Sequence, residues 1–274
     1  MKSFGRFGVA LVATWWVFCG GGVALAATPP SRDPALKAAL NAWASFPVRA
    51  QPRKLVLTGD QVMPGGFPSN DTKEAFLSGL FVAPQAFPAG PTDAGGFPLM
   101  SSQAAFEAMQ REGTPGPGGP APLTINAVSL GTGSFNTDRG VHVLPAWMFT
   151  FDGVEKPAAV LAVAASSRYP APAASSLAPG VGASTTTGRT LEISFIGAAA
   201  GNGPCTAEYT ADVLESRTAV AIAVRETRTG SGNGMAVACT DVGYQRHLRI
   251  RLTLPLRNRV LVDSATKGPI AVTA

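Results

Sequence analysis

The chain has 274 residues, of which 14% are charged and 46% hydrophobic, with 31 glycines, 23 prolines and a formal net charge of +5. Ordinary soluble domains carry about 25% charged residues, so this surface must be built largely from Ser, Thr, Gly, Gln and Pro. Frequent turns are implied, disorder is excluded by an adequate supply of core residues, and the charge excess is too mild to imply nucleic acid.

The N-terminus reads as a secretory signal over residues 1–26. Lys2 and Arg6 form a positive start, residues 7–18 an apolar stretch, Gly20, Gly21 and Gly22 a break, and Ala24-Leu25-Ala26 a small-x-small cleavage pattern near Ala26. An uncleaved anchor is the weaker alternative, because the three glycines disfavour a helix near the roughly 20 residues a bilayer needs. Lipidation at Cys19 is weaker still, since bulky Trp16, Val17 and Phe18 precede it. Cleavage leaves a secreted or extracytoplasmic chain with no transmembrane domain. Its net charge is +5 minus the two positive charges of Lys2 and Arg6, or +3. Two cysteines remain, Cys205 and Cys239, and in an oxidising compartment they read as one disulfide. A redox or metal pair is disfavoured by the lack of Cys-x-x-Cys spacing.

Residues 27–168 read as a mixed α/β region. Asp33 caps a first helix, with Pro34 in its first turn and Leu36, Leu40 and Trp43 on one face. Residues 54–58 read as a short strand. Asp71 is expected to cap a helix carrying Phe76 and Leu77. Ser102 is expected to cap another, with Phe106 and Met109 buried and Gly113 as its stop. After a Pro/Gly connector at 114–120 the period changes to two. Residues 124–130 place Ile125, Ala127 and Ser129 on one face. Residues 146–151 place Trp147, Phe149 and Phe151 on one side, and Asp152-Gly153 turns the chain into a return strand at 157–165. The result is an aromatic β-hairpin.

Residues 169–188, rich in Ala, Pro, Ser, Gly and Thr, form a linker or a long loop. Residues 189–274 read as a β-rich domain, an antiparallel sheet or sandwich holding the disulfide. Strands are expected at 191–196, 206–214 and 218–225, with a flexible loop at 229–234. A strand at 247–254 would face Leu248, Ile250, Leu252 and Leu254 inward. Residues 260–262 and 270–273 would form a last hairpin around Lys267-Gly268. The fold class is α+β, mostly β.

Several short segments taken together carry a likeness: Phe46-Pro47-Val48, Lys54-Leu55-Val56-Leu57, Thr137-Asp138-Arg139-Gly140, Leu144-Pro145-Ala146-Trp147, Cys205 with Tyr209, Cys239, Pro255-Leu256, Arg259-Val260 and Val262-Asp263. The set resembles an uncharacterised group of exported proteins from high-G+C Gram-positive (actinobacterial) bacteria. The resemblance implies an envelope or secreted location and no assigned activity. Arg257 departs from it, at a position where the group favours glycine.

Chemistry leaves few traces. With His142 and His247 as the only histidines, a multi-histidine zinc site is nearly excluded, and no hydrolase elbow, dinucleotide or phosphate-loop spacing occurs. No cofactor is expected. Asn70-Asp71-Thr72 is a formal glycosylation sequon better read as a helix start. Ser264-Ala265-Thr266-Lys267 has Ser-x-x-Lys spacing, but Gly268-Pro269 suits a turn, and the companion motifs are missing.

Two polar groups remain as candidate ligand sites. Asp138 and Arg139, with His142 near, could bind an acidic or carbohydrate ligand, or Asp138 could orient His142 as a base. The preferred reading is a turn in which Asp138 caps amides and Gly140 takes a positive φ. Arg249 and Arg251, flanked by Arg246, Arg257 and Arg259, invite an anionic partner, against a reading as a solvated face paired to Glu or Asp. Trp43, Trp147, Phe149 and Phe151 are read as core before sugar platform. The expected function is a non-enzymatic exported binding or structural protein whose partner is an anionic envelope polymer or another exported protein. The alternative is an extracellular hydrolase or transferase with a carboxylate-based site.

Overall fold

The computed structural model describes residues 33–59, 64–113, 119–172, 181–185, 187–228 and 238–273. The expected signal with Cys19, residues 114–118 of the connector, residues 173–180 and 186 of the low-complexity segment and the 229–234 loop lie outside them. In chain order the elements are α1 (Pro34–Ala42), α2 (Asn70–Leu77), β1 (Phe81–Val82), β2 (Asp93–Ala94), β3 (Phe97–Pro98), α3 (Ser102–Glu112), β4 (Leu123–Thr137), β5 (Gly140–Phe151) and β6 (Ala158–Leu161). A 3-10 turn over Ala165–Ser167 leads to β7 (Gly182–Thr185), β8 (Thr190–Gly197), β9 (Ala207–Glu215), β10 (Ala219–Arg228), β11 (Tyr244–Arg251), β12 (Val260–Asp263) and β13 (Val272–Thr273). The protein is therefore α+β and mostly β. No helix among the described residues is long and apolar enough to cross a membrane.

The first sheet runs β1-β4-β5-β6. The aromatic hairpin forms as its period requires: Trp147 pairs with Val160 and Phe149 with Ala158. Trp147, Phe149 and Phe151 are buried under α2 and α3, against Phe76, Phe106 and Met109. The opposite face buries Phe135, Leu144, Ala159 and Leu161 with Leu55 and Leu57.

The second half stacks two sheets, β11-β8-β7-β13 and β12-β10-β9. Between them Leu191, Ile193, Val220, Ile222, Ile250 and Leu261 form one core. The even positions of β10 face that core. Its odd positions, Ala219, Ala221 and Ala223, face α1 with Leu36, Trp43 and Phe46. Alanine there leaves room for Trp43, so β10 is buried on both sides and the helix packs on the back of the sheet. Tyr169, at the start of the low-complexity segment, lies 5.4 Å from the Trp43 ring, and β7 within that segment pairs with β8. The Cys205 and Cys239 sulfurs are 2.11 Å apart, at disulfide bonding distance, joining the approach to β9 with the approach to β11.

Several details differ from the periodicity. Ser69 rather than Asp71 caps α2, because its extended backbone lets Oγ accept from the Thr72 amide at 3.1 Å. Ser101 rather than Ser102 caps α3, while the Ser102 hydroxyl donates to the Pro88 carbonyl. Residues 54–58 make only isolated bridges, Leu55 to Arg168 and Leu57 to Thr137. In β4 the register shifts between Ile125 and Ala127, which exchanges the faces: Ala127 and Ser129 are exposed, and Val128 and Leu130 pack on the core. The strand β11 stops at Arg251 and leaves Leu254 exposed.

The expected last hairpin closes only locally, through a Val262–Pro269 bridge. Its arms then part, β12 running parallel to β10 and β13 parallel to β7, so the sheets include parallel pairs. Residues 264–267 are the turn between them. The Asp263 carboxylate accepts from the Ala265 and Thr266 amides, and Lys267 is left-handed at φ 59. The Ser-x-x-Lys segment thus forms a single turn, closed by the Lys267 amide on the Asp263 carbonyl at 2.9 Å, and no helix. Arg257 is also left-handed, at φ 46, a conformation that favours glycine.

Candidate functional site

The hairpin between β4 and β5 turns at Asp138-Arg139. The Thr137 hydroxyl accepts from the Arg139 amide and donates to the Gly140 carbonyl, and Gly140 takes φ 84. This tip points into the molecule. Asp138 is 1% exposed. Its carboxylate receives both arms of the Arg53 guanidinium, at 3.0 and 2.5 Å, with Arg139 at 3.9 Å. Its amide donates to the Val56 carbonyl, and its own carbonyl accepts from the Val272 amide. Arg53 also lies 4.9 Å over the Phe46 ring and donates to the Asn258 carbonyl. Arg139 donates to the Arg257 and Arg259 carbonyls. Burial pulls the Arg139 guanidinium below its ordinary value, opposed by Asp138 and reinforced by Arg53. His142 is exposed on β5 and makes no hydrogen bond or ion pair to Asp138. The chemistry of this cluster is an internal lock, with no carboxylate oxygen aimed at solvent.

The arginine group divides. Arg259 is 6% exposed and pairs with Glu215 at 2.8 Å, while donating to the Leu254 and Pro255 carbonyls. Burial alone would raise the Glu215 carboxyl. The Thr253 amide, Arg259 and the Leu254 amide outweigh that and hold it below the ordinary glutamate value. Arg246 donates to the Ala198 and Ala207 carbonyls and lies 5.0 Å over the Tyr209 ring. In contrast, His247, Arg249 and Arg251 are all exposed on the outer face of β11, which ends its sheet. They face Ser194, Glu192 and Thr190 of β8. Glu192 lies 3.3 Å from His247 and 3.8 Å from Arg249.

A third feature escaped the sequence. At the end of the sandwich near the disulfide, the inner faces change character. On β10 the even row runs Val220, Ile222, Val224, then Glu226 and Arg228. On β11 it runs Ile250, Leu248, then Arg246 and Tyr244. A cleft of about 780 Å3 opens there, with Tyr209, Tyr244, Glu226, Arg228, Asp241 and the Cys205–Cys239 pair among its walls. Tyr209 forms its floor. Its hydroxyl accepts from the Ala198 amide and donates to Glu226, and its ring meets Phe195 edge-on at 4.9 Å. A Cβ on Gly197 would come within 2.7 Å of the Tyr209 hydroxyl, so only glycine lets this ring cross β8. The available signal was the alternation itself, which continues into charged residues on the core-facing row.

Among the described residues no group of three or more His, Cys, Asp or Glu could hold a metal ion. Comparison with family models, with curated proteins and with solved structures finds no match for this chain.

Proposed function

We propose that this is an exported, non-enzymatic protein that binds an anionic polymer of the cell envelope along the outer face of β11. One observation carries the reading: three cationic or protonatable side chains stand exposed in a row, and Glu192 lies near only two of them, His247 and Arg249, while Arg251 faces Thr190. Alternate residues of a strand repeat every 6.7 Å or so, so His247, Arg249 and Arg251 offer evenly spaced donors to a repeating phosphate or carboxylate chain. Guanidinium groups suit such anions because their planar fork grips two oxygens at once. Export is supported by the signal-like N-terminus and by two cysteines at bonding distance.

Retention on immobilised heparin tests the reading. The Arg249→Glu, Arg251→Glu variant is expected to elute at clearly lower salt than the parent, because two attractive contacts become repulsive. Equal elution would reject the anion-binding face.

A further inference from the structure

We propose that the cleft at the open end of the sandwich binds a neutral saccharide, stacked on Tyr244 and hydrogen-bonded to Glu226 and Asp241. This site is separate from the β11 outer face, and its chemistry is opposite. Its walls hold two carboxylates against one guanidinium, Arg228, which is itself bound to Glu226 at 3.0 Å. The guanidinium groups nearby are already engaged, Arg228 by Glu226 and Arg246 by the Ala198 and Ala207 carbonyls, whereas sugar hydroxyls are donors that carboxylate oxygens accept. Glu226 spends part of its capacity on Tyr209 and Arg228, and with about four lone-pair sites it retains acceptors for a ligand. Asp241 is exposed and bonds to no described group.

The apolar half of the recognition is in place as well. Tyr244, Val242 and Ile196 stand 49%, 56% and 57% exposed at the rim, an unusual cluster for a chain that buries its other tyrosines more deeply. A phenol ring with one face in solvent takes the C–H face of a sugar ring, which is apolar, while leaving the hydroxyl edge to polar groups. Behind the rim, Arg246 and Phe195 pin Tyr209, so the floor is held before any ligand arrives. The volume falls in the range of about 300 to 1,000 Å3 typical of small-ligand sites.

Isothermal titration calorimetry with two neutral series, cello-oligosaccharides and chito-oligosaccharides, tests the proposal. Saturable binding of at least one series is expected. Tyr244→Ala should weaken it at least tenfold with an unchanged unfolding midpoint, since this ring supports no core. Asp241→Asn should weaken it less, and the Arg249→Glu, Arg251→Glu variant should bind as the parent does. The proposal is overturned if neither series binds, if Tyr244→Ala and Asp241→Asn both bind like the parent, or if an anionic glycan, polygalacturonate, displaces the neutral sugar from the cleft.

Discussion

The tip of the β4–β5 hairpin and the outer face of β11 are built from the same residue types and do opposite things. At the tip, Asp138 is removed from water and two largely buried arginines turn their guanidinium groups onto it and onto nearby carbonyls. On β11, Arg249 and Arg251 stand in solvent beside one half-exposed carboxylate. The difference lies in what each strand packs against. The tip is driven between residues 53–56 and the 257–259 turn, whereas β11 ends a sheet and its outer row is exposed among the described residues. A charged pair in a loop is therefore no better evidence for a ligand than a charge on a strand. Burial decides whether the charge holds the fold together or remains available.

The sharpest way to break this contrast is Asp138→Ala. It leaves the Arg53 and Arg139 guanidinium groups beside an empty, buried pocket, and loss of one partner of a buried pair costs about 3 to 5 kcal/mol. Chemical denaturation should show a loss of that order. Asp138→Asn, which keeps the shape and one acceptor, should fall between it and the parent. A loss under about 1 kcal/mol for Asp138→Ala would mean that the tip is not a lock.

Much of the fold was legible because it is local. The period-two aromatics at Trp147, Phe149 and Phe151 and the helical face of Leu36, Leu40 and Trp43 declare their elements without help. What stayed hidden depends on distant partners. Arg53 reaches Asp138 across 85 positions, and no local pattern records that. The bulge after Ile125 inserts one residue without a glycine to mark it, and a single insertion exchanges the faces of everything beyond. The parting of β12 and β13 is decided by which sheet offers each an open edge. In the cleft, Glu226 and Arg228 look like ordinary solvent-facing residues until the second sheet is placed opposite them.

A middle case sharpens the contrast, because Glu215–Arg259 is partly buried. Glu215→Gln keeps the acceptor for the Thr253 amide but removes the charge facing Arg259, and should cost about 1 to 3 kcal/mol near neutral pH. The folded carboxyl is held below its ordinary value, so its contribution is complete above the unfolded value and is lost as pH falls through the folded one. The gap in unfolding free energy between parent and variant should therefore narrow below about pH 4.3. Parallel profiles down the acid limb would show that the carboxylate charge contributes nothing.

The smallest effect is expected where the charges are most numerous. Arg249 is 72% exposed and sits 3.8 Å from a carboxylate that is itself 37% exposed. In such a pair water screens the attraction, and holding two long side chains together costs rotamer freedom, so Arg249→Ala should change stability by less than about 0.5 kcal/mol. Arg251 faces Thr190, not a carboxylate, and its removal should cost no more. The double alanine variant would then unfold at the parent's denaturant midpoint while eluting from heparin at lower salt. That combination separates a surface kept for binding from one kept for folding. Should the double variant instead lose more than about 1 kcal/mol, the row on β11 would belong with the hairpin tip as structure, and its basic surplus would be explained without any partner.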